Sequence, residues 1–214
     1  MRIGILGSGR MGAKLGTLFA RAGHQVTFSY SRSGPKLKRL ARAAGSGARA
    51  GTVREATQDA EAILLAVHWS RVREVLKQAG DLERKTVISC CLPMDATDAR
   101  LVVSGDSSGA ERLAKWLPKA RVIGAFGTVP SEVLLDVYAA RRRKARPSLV
   151  YYGDHPAAKR LAARLIRDVG FEPVDAGPLK TARYAEPFTL LVAQLAYEGK
   201  GGPRLAYRFE RFAG

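Results

Sequence analysis

The chain opens on "RIGILGSGRMGAKL", and this stretch constrains its fold more than any other. An apolar run from Arg2 to Leu6 leads straight into Gly7, Gly9 and Gly12 in G-x-G-x-x-G order. Met11, Leu15, Leu18, Phe19 and Ala22 then recur at helical spacing. Gly23 stops that helix, and "HQVTFSY", residues 24–30, reads as a second strand. The glycine motif alone is a weak signal. Strand, glycine loop, helix and strand in this order predict the start of a dinucleotide-binding α/β unit. In such a unit the first glycine permits the turn off the strand, the second lets a pyrophosphate approach the backbone, and the third lets helix and strand pack closely. The helix start directs N–H groups and its positive dipole end at the phosphates. Gly7, Ser8, Gly9, Arg10, Met11 and Gly12 are therefore the predicted pyrophosphate loop, with Arg10 adding a charge.

The second strand ends "SYSRSGPKLKR". An NAD site places a carboxylate there to accept hydrogen bonds from the adenosine ribose, but no acid occurs between Met1 and Glu55. A 2′-phosphate would be repelled by a carboxylate and gripped by a guanidinium. Ser31 can donate a hydroxyl hydrogen bond, Arg32 can fork onto two phosphate oxygens, and Lys36 can reach in from the next helix. Hydrogen bonds to charged groups contribute about 1.5–3 kcal/mol each. Two of them favour NADP over NAD by roughly a hundredfold to ten-thousandfold. Lys38 and Arg39 belong to the solvated face of that helix. The expected cofactor is NADP(H).

The alternation continues. "AEAILLAV" (60–67), "KTVISCCL" (85–92) and "ARVIGAF" (120–126) read as strands, with helices over 68–79 and 109–117 between them. The fold class is α/β: a Rossmann-type doubly wound parallel sheet with a small C-terminal α/β extension and a terminal helix. The expected division is an NADP-binding domain over residues 1–145 and an extension over 146–214 packed on it. Ligands of such sheets lie beyond the carboxyl ends of the strands, where Ala66, Val67, His68, Cys90 and Phe126 fall. In the last helix Tyr184, Phe188, Leu191, Val192 and Leu195 form an apolar stripe, read as core or dimer interface, and Pro187 is expected to kink the helix or mark its start. The aromatic and basic tail beyond Gly199 reads as an arm that docks elsewhere.

Longer stretches carry a family resemblance. "RIGILGSGRMGAKL", "GHQVTFSYSRS", "AILLAV", "GAERLAKWLPKARVIGAFGTVPSEVL" and "VYYGDHPAAKRLAARLIRDVGFEPVDAGPLKTARYAEPFTLL" resemble the NADPH-dependent F420 reductases. That group includes F420H2:NADP oxidoreductase and the oxidoreductase domain of the Steap ferric reductases. The likeness extends from Met1 to about Leu195. It implies hydride transfer between NADP(H) and a small-molecule acceptor, a deazaflavin (coenzyme F420) or a flavin such as FMN or FAD, in a homodimer; the composition itself reads as cytoplasmic. It implies that Ser31, Arg32 and Lys36 clamp the 2′-phosphate, and that Ala66 to Trp69 cross over the cofactor. The chain departs from the family pattern at His68, where proline is common, and at Leu92, where asparagine often precedes the proline. The segment after Pro93, where part of the deazaflavin pocket is expected, is also shortened.

Hydride transfer between two such cofactors needs stacked rings and excluded water more than a catalytic triad. No metal site is expected. His68 is the one titratable ring at a strand end able to give a proton or hydrogen bond to the acceptor. A loop histidine packed on the nicotinamide ribose, or simply exposed, is the alternative. Adjacent Cys90 and Cys91 read as a buried strand end, with a redox pair as the other option. Arg183 and Glu186 frame the acceptor pocket or form a salt bridge. The net charge of +17 suits steering of polyanionic cofactors, and Arg141, Arg142 and Arg143 could meet an anionic acceptor tail. Without a zinc-finger or RNA-recognition signature, nucleic acid is a minor alternative. No apolar run approaches the roughly 20 residues that cross a bilayer. Two further functions stay open: NADPH-dependent reduction of a small carbonyl or imine, and non-catalytic NADP(H) sensing.

Overall fold

A computed structural model describes residues 1–31, 33–45 and 47–212. Eight strands form one sheet in the order β3-β2-β1-β4-β5-β6-β7-β8. They are β1 (Arg2–Leu6), β2 (Gln25–Ser29), β3 (Ala48–Ala50), β4 (Ala62–Leu65), β5 (Thr86–Ser89), β6 (Arg121–Ala125), β7 (Ser148–Gly153) and β8 (Glu172–Asp175). Helices α1 (Arg10–Arg21), α2 (Gly34–Ala44), α3 (Val53–Gln58), α4 (Val72–Gln78), α5 (Gly109–Trp116), α6 (Leu134–Ala139), α7 (Pro156–Asp168) and α8 (Ala182–Ala193) flank it.

Strand residues alternate between two buried faces, as a sheet covered on both sides requires. Ile3, Ile5, Leu64, Ile88 and Ile123 join one apolar cluster with α1, α2 and α7, while Leu6, Ile63, Leu65, Val87 and Val122 join the other. β1 has the predicted bounds, and the other four strands predicted above are present but shorter by two to four residues. Two short elements escaped sequence reading: β3, and α3 with its capping box between Thr52 and Glu55. The segment over 68–79 is a 3₁₀ turn, Trp69–Arg71, followed by α4.

The sheet is parallel except where β7 runs antiparallel to β6. A six-residue α6 rises only about 9 Å, too little to return the chain to the amino edge of the sheet. The strand therefore re-enters from the carboxyl edge, and Ser148 begins β7 beside the end of β6. β7 and β8 extend the same sheet. Among the described residues no helix is long and apolar enough to cross a membrane.

The last helix corrects one expectation. Its apolar stripe is core only in part: Val192 is buried with Ala182, Ala185 and Glu186, and Phe188 is half-buried, while Tyr184, Leu191 and Leu195 are exposed. Small residues let α8 lie close on α5, and the exposed side chains point away. Pro187 sits inside the helix instead of beginning it.

Candidate active site

The chain leaves β1 for β2 on one side and later crosses to β4 on the other, so β1 and β4 mark a topological switch point. The glycine loop lies above it. Gly7 holds a φ of +113°, which a side chain rarely adopts, and its N–H donates to Ser29 O at 3.2 Å. Gly12 packs so closely that a Cβ would drive into the Gly7 carbonyl oxygen. Gly9 is the opposite case: a Cβ there would meet nothing within 4 Å. It stands at the N-cap of α1 with no side chain capping the helix and no acid in the first turn. The first-turn N–H groups lack intrahelical acceptors. Open space above Gly9 and a positive, uncapped helix end fit a pyrophosphate.

The other predicted loop residues divide. Arg10 is exposed, its Nη1 4.0 Å from Glu132 Oε1. Met11 packs on the core edge. Ser8 is buried, and its hydroxyl donates to Tyr30 O at 3.3 Å. Beyond β2, a cleft of about 510 Å³ is lined by Tyr30, Ser31, Thr52, Arg71, Glu74 and neighbouring groups. Ser31 Oγ accepts from Ser33 N–H at 3.2 Å, and Ser33 in turn caps α2 through Lys36 N–H. Lys36, Lys38 and Arg39 are exposed on α2. Arg32 lies outside the described residues.

On the far side of the switch point, Ala66 and Val67 follow β4 and are half-buried. The His68 ring is engaged within the chain. Nδ1 accepts from Ser70 N–H at 3.3 Å and lies 2.8 Å from Ser70 Oγ, while Nε2 is 3.2 Å from both Asp95 O and Asp98 Oδ1. These partners fit an Nε2–H tautomer with neither nitrogen free. Cys90 and Cys91 are free and half-buried, and both Sγ atoms donate to Leu65 O at 3.4 Å. Burial raises both thiols, Cys91 to about 11, and the neighbouring Cys91 raises Cys90 further. Protonated thiols are poor nucleophiles, so the redox-pair option has no support. Phe126 corrects another expectation: its ring is fully buried against Phe19, centroids 6.1 Å apart, because its left-handed φ of 66° turns the side chain into the core.

Arg183 and Glu186 do not frame a pocket together. Arg183 forks onto Glu111 at 2.9 and 2.7 Å. Glu186, 3% exposed, accepts from the N–H groups of Gly109 and Ala110, capping α5 from α8.

A smaller groove of about 250 Å³ lies between the start of α1, the loop after β6 and α8, with walls from Arg10, Met11, Val129, Pro130, Val192 and Tyr197. The loop is held from two sides: Lys14 Nζ donates to Ser131 O at 2.9 Å, and Tyr207 OH lies 2.7 Å from Thr128 Oγ1. Tyr207 belongs to the C-terminal tail, which docks on this chain's own β7 through Ser148 N–H to Tyr207 O (2.8 Å) and Phe209 N–H to Ser148 Oγ (2.9 Å). Arg142 and Arg143 line a separate groove beside the tail, and Arg141 lies over the Tyr138 ring. Sequence reading missed Thr52, Arg71, Glu74 and Tyr207. The T-x-x-E of the capping box was the available signal for Thr52; the others carry none.

Residues 2–93 match the family model described as NADP oxidoreductase coenzyme F420-dependent. The matched segment covers less than half of the chain. The match runs from β1 through the loop after β5 and so contains the whole glycine loop and the cleft beyond β2. The metalloreductase STEAP3 of Rattus norvegicus is 29% identical over 189 residues, 88% of this chain. Those residues span only 36% of that protein's length. The F420-dependent NADP reductase of Methanocaldococcus jannaschii is 24% identical over 156 residues, 69% of this chain and 68% of that one. A solved structure from Arthrobacter sp. FB24, described as a candidate F420-dependent NADP reductase, superposes with a TM-score of 0.85 at 22% identity. It covers 99% of this chain and 100% of the other, and it supports the α/β Rossmann architecture throughout. The similarity to that family model falls on the half of the chain that holds the glycine loop and the cleft beyond β2.

Proposed function

We propose that the chain transfers hydride between NADP(H) and a deazaflavin of the F420 type, or a flavin such as FMN or FAD, and works as a homodimer. The observation that carries this reading is the juxtaposition of two half-sites across the start of α1. On one side are the open Gly9 cradle and the cleft beyond β2. On the other is a groove walled by Met11, Val129, Pro130 and Val192, apolar surfaces suited to a flat ring system.

Bound nicotinamide would supply the hydride; the chain binds, orients and excludes water. The Gly7–Gly12 loop and the α1 N-terminus would hold the pyrophosphate, and Ser31, Arg32 and Lys36 the 2′-phosphate. Ala66, Val67, the Cys90 backbone and the Phe126 backbone would border the nicotinamide end. His68 lies at that edge with both nitrogens engaged, which suits a wall residue better than a proton donor. Arg142 and Arg143, on the same carboxyl side of the sheet, are placed to steer an anionic acceptor.

The test is steady-state oxidation of NADPH and NADH against F420, FMN, FAD, ferric chelates, and a small carbonyl and imine panel. Turnover with a deazaflavin or flavin is expected, with NADH poorer by roughly a hundredfold or more. Tight NADPH binding without turnover on any acceptor would replace this reading with a sensor. Turnover confined to carbonyls or imines would replace it with a small-molecule reductase.

A further inference from the structure

The stretch after β2 is free of acids in sequence, yet the cleft it borders contains a carboxylate. Tyr30, at the end of β2, adopts a left-handed φ of 55° and sends its side chain across to α4, where its hydroxyl donates to Glu74 Oε1 at 2.9 Å. Glu74 Oε2 accepts from Arg71 Nη1 at 3.0 Å. All three line the same cleft as Ser31 and Thr52. Arg71 and Glu74 are both about half exposed, at 50% and 47%.

We propose that Arg71 is a second guanidinium of the 2′-phosphate subsite and a determinant of the preference for NADP(H), with Glu74 holding it in place until the phosphate arrives. This rests on the NADP(H) reading above. A carboxylate in the cleft would repel a phosphate monoester dianion, and a guanidinium set between the two, within reach of both, offsets that repulsion. The pairing is an exposed i,i+3 contact, which holds weakly against solvent. A dianion with three acceptor oxygens competes well for the planar fork of an arginine. When Arg71 turns to the phosphate, Glu74 keeps the Tyr30 hydroxyl, so Tyr30 and the chain into Ser31 stay in position. Arg71 arrives from the opposite half of the sheet, and the site therefore closes on the phosphate from both sides of the switch point.

The measurement is equilibrium binding of NADPH, NADH, 2′,5′-ADP and 5′-AMP to the wild type, Arg71→Ala, Glu74→Gln and the double variant. Arg71→Ala is expected to weaken NADPH and 2′,5′-ADP about tenfold or more, the loss of one charged hydrogen bond, and to leave NADH and 5′-AMP within about twofold. Glu74→Gln is expected to tighten 2′,5′-ADP, because Arg71 is released. The Arg71→Ala loss should persist in the Glu74→Gln background if the guanidinium touches phosphate. Equal loss on 5′-AMP would overturn the proposal in favour of adenine packing. Disappearance of the loss in the double variant would overturn it in favour of mere neutralisation of Glu74. If the wild type binds 2′,5′-ADP no better than 5′-AMP, the NADP(H) reading fails first, and the Arg71 role falls with it.

Discussion

The two walls of the cleft are built by opposite means. The phosphate wall comes from one contiguous stretch, β1, the glycine loop, α1 and β2, and its shape is set by where a Cβ cannot fit. The facing wall is assembled from parts distant in sequence: the loop after β6, the side of α8 and the returning tail, joined by a few side-chain hydrogen bonds. Local backbone geometry specifies most of the first wall, with Ala66 after β4 closing against Gly7 and Gly12. The second exists only after the whole fold has closed, so its parts can vary while the architecture stays fixed. The family match ends at residue 93, before any of that second wall begins.

The largest effect belongs to the phosphate wall. Gly12→Val places a branched side chain against the Gly7 carbonyl oxygen, a backbone atom that cannot move without dismantling the turn. A stability loss of about 4 kcal/mol or more is expected, read as a lowered midpoint in urea. Gly9→Ala separates shape from ligand: its Cβ meets open space, so the midpoint should stay put. NADPH affinity should nonetheless fall by about tenfold, because the methyl occupies the room a pyrophosphate needs. An unaltered affinity in Gly9→Ala would detach the glycine loop from cofactor binding and dissolve the contrast between the walls.

Next comes the joint behind the second wall. Glu186 ties α8 to the start of α5, and burial pushes its carboxyl from the ordinary 4.5 up to about 7, against the pull of the Gly109 and Ala110 N–H donors, with Glu111 adding repulsion. A carboxyl raised in the folded state binds more protons there than in the unfolded chain. Its contribution is thus fully present below about 4.5 and is lost as pH rises through about 7. A decline of roughly 3 kcal/mol is the scale for a shift of this size. Glu111, Asp136 and Asp175 are shifted downward, so their stability is lost on the acid side instead. Urea melts at pH 5 and pH 7.5 should show the wild type losing stability with rising pH and Glu186→Gln losing much less. Identical slopes would mean that α8 is not docked through this carboxylate.

What sequence alone revealed follows the same division. The order of strands, the glycine loop and the missing acid after β2 were legible because each is encoded in residues adjacent along the chain. The reversal of β7 was not, since it depends on how far a six-residue helix can carry the chain. The apolar stripe of the last helix was legible in part, because periodicity shows that a face exists without showing how much of it is covered: Val192 is buried, and Leu191 and Leu195 are exposed. Phe126 misled because a strand-end position says nothing about a left-handed φ that turns the ring into the core. Glu74 and Tyr207 reach the cleft only through tertiary contacts 44 and 79 residues long in sequence, beyond the range of any local pattern.

The smallest effect is the most informative about the second wall. Tyr207→Phe keeps the ring packed against Phe188 and Phe209, with centroids 5.2 and 5.3 Å away, and deletes only the hydroxyl. That hydroxyl touches Thr128 Oγ1 at 2.7 Å and accepts from Val150 N–H at 3.3 Å, so it joins the tail both to the loop after β6 and to β7. Stability should fall by about 1 kcal/mol, the net value of an ordinary hydrogen bond. The loop carrying Val129 and Pro130 would then keep only the side-chain anchors at its far end, Lys14 on Ser131 O and Tyr197 on Glu132, among the described residues. KM for the electron acceptor should rise several-fold while the dissociation constant for NADPH stays unchanged, because among the described residues no hydrogen bond or ion pair joins the phosphate wall to the tail beyond Gly199. If NADPH affinity and acceptor KM move together instead, the two walls are one mechanical unit and the division drawn between them does not hold.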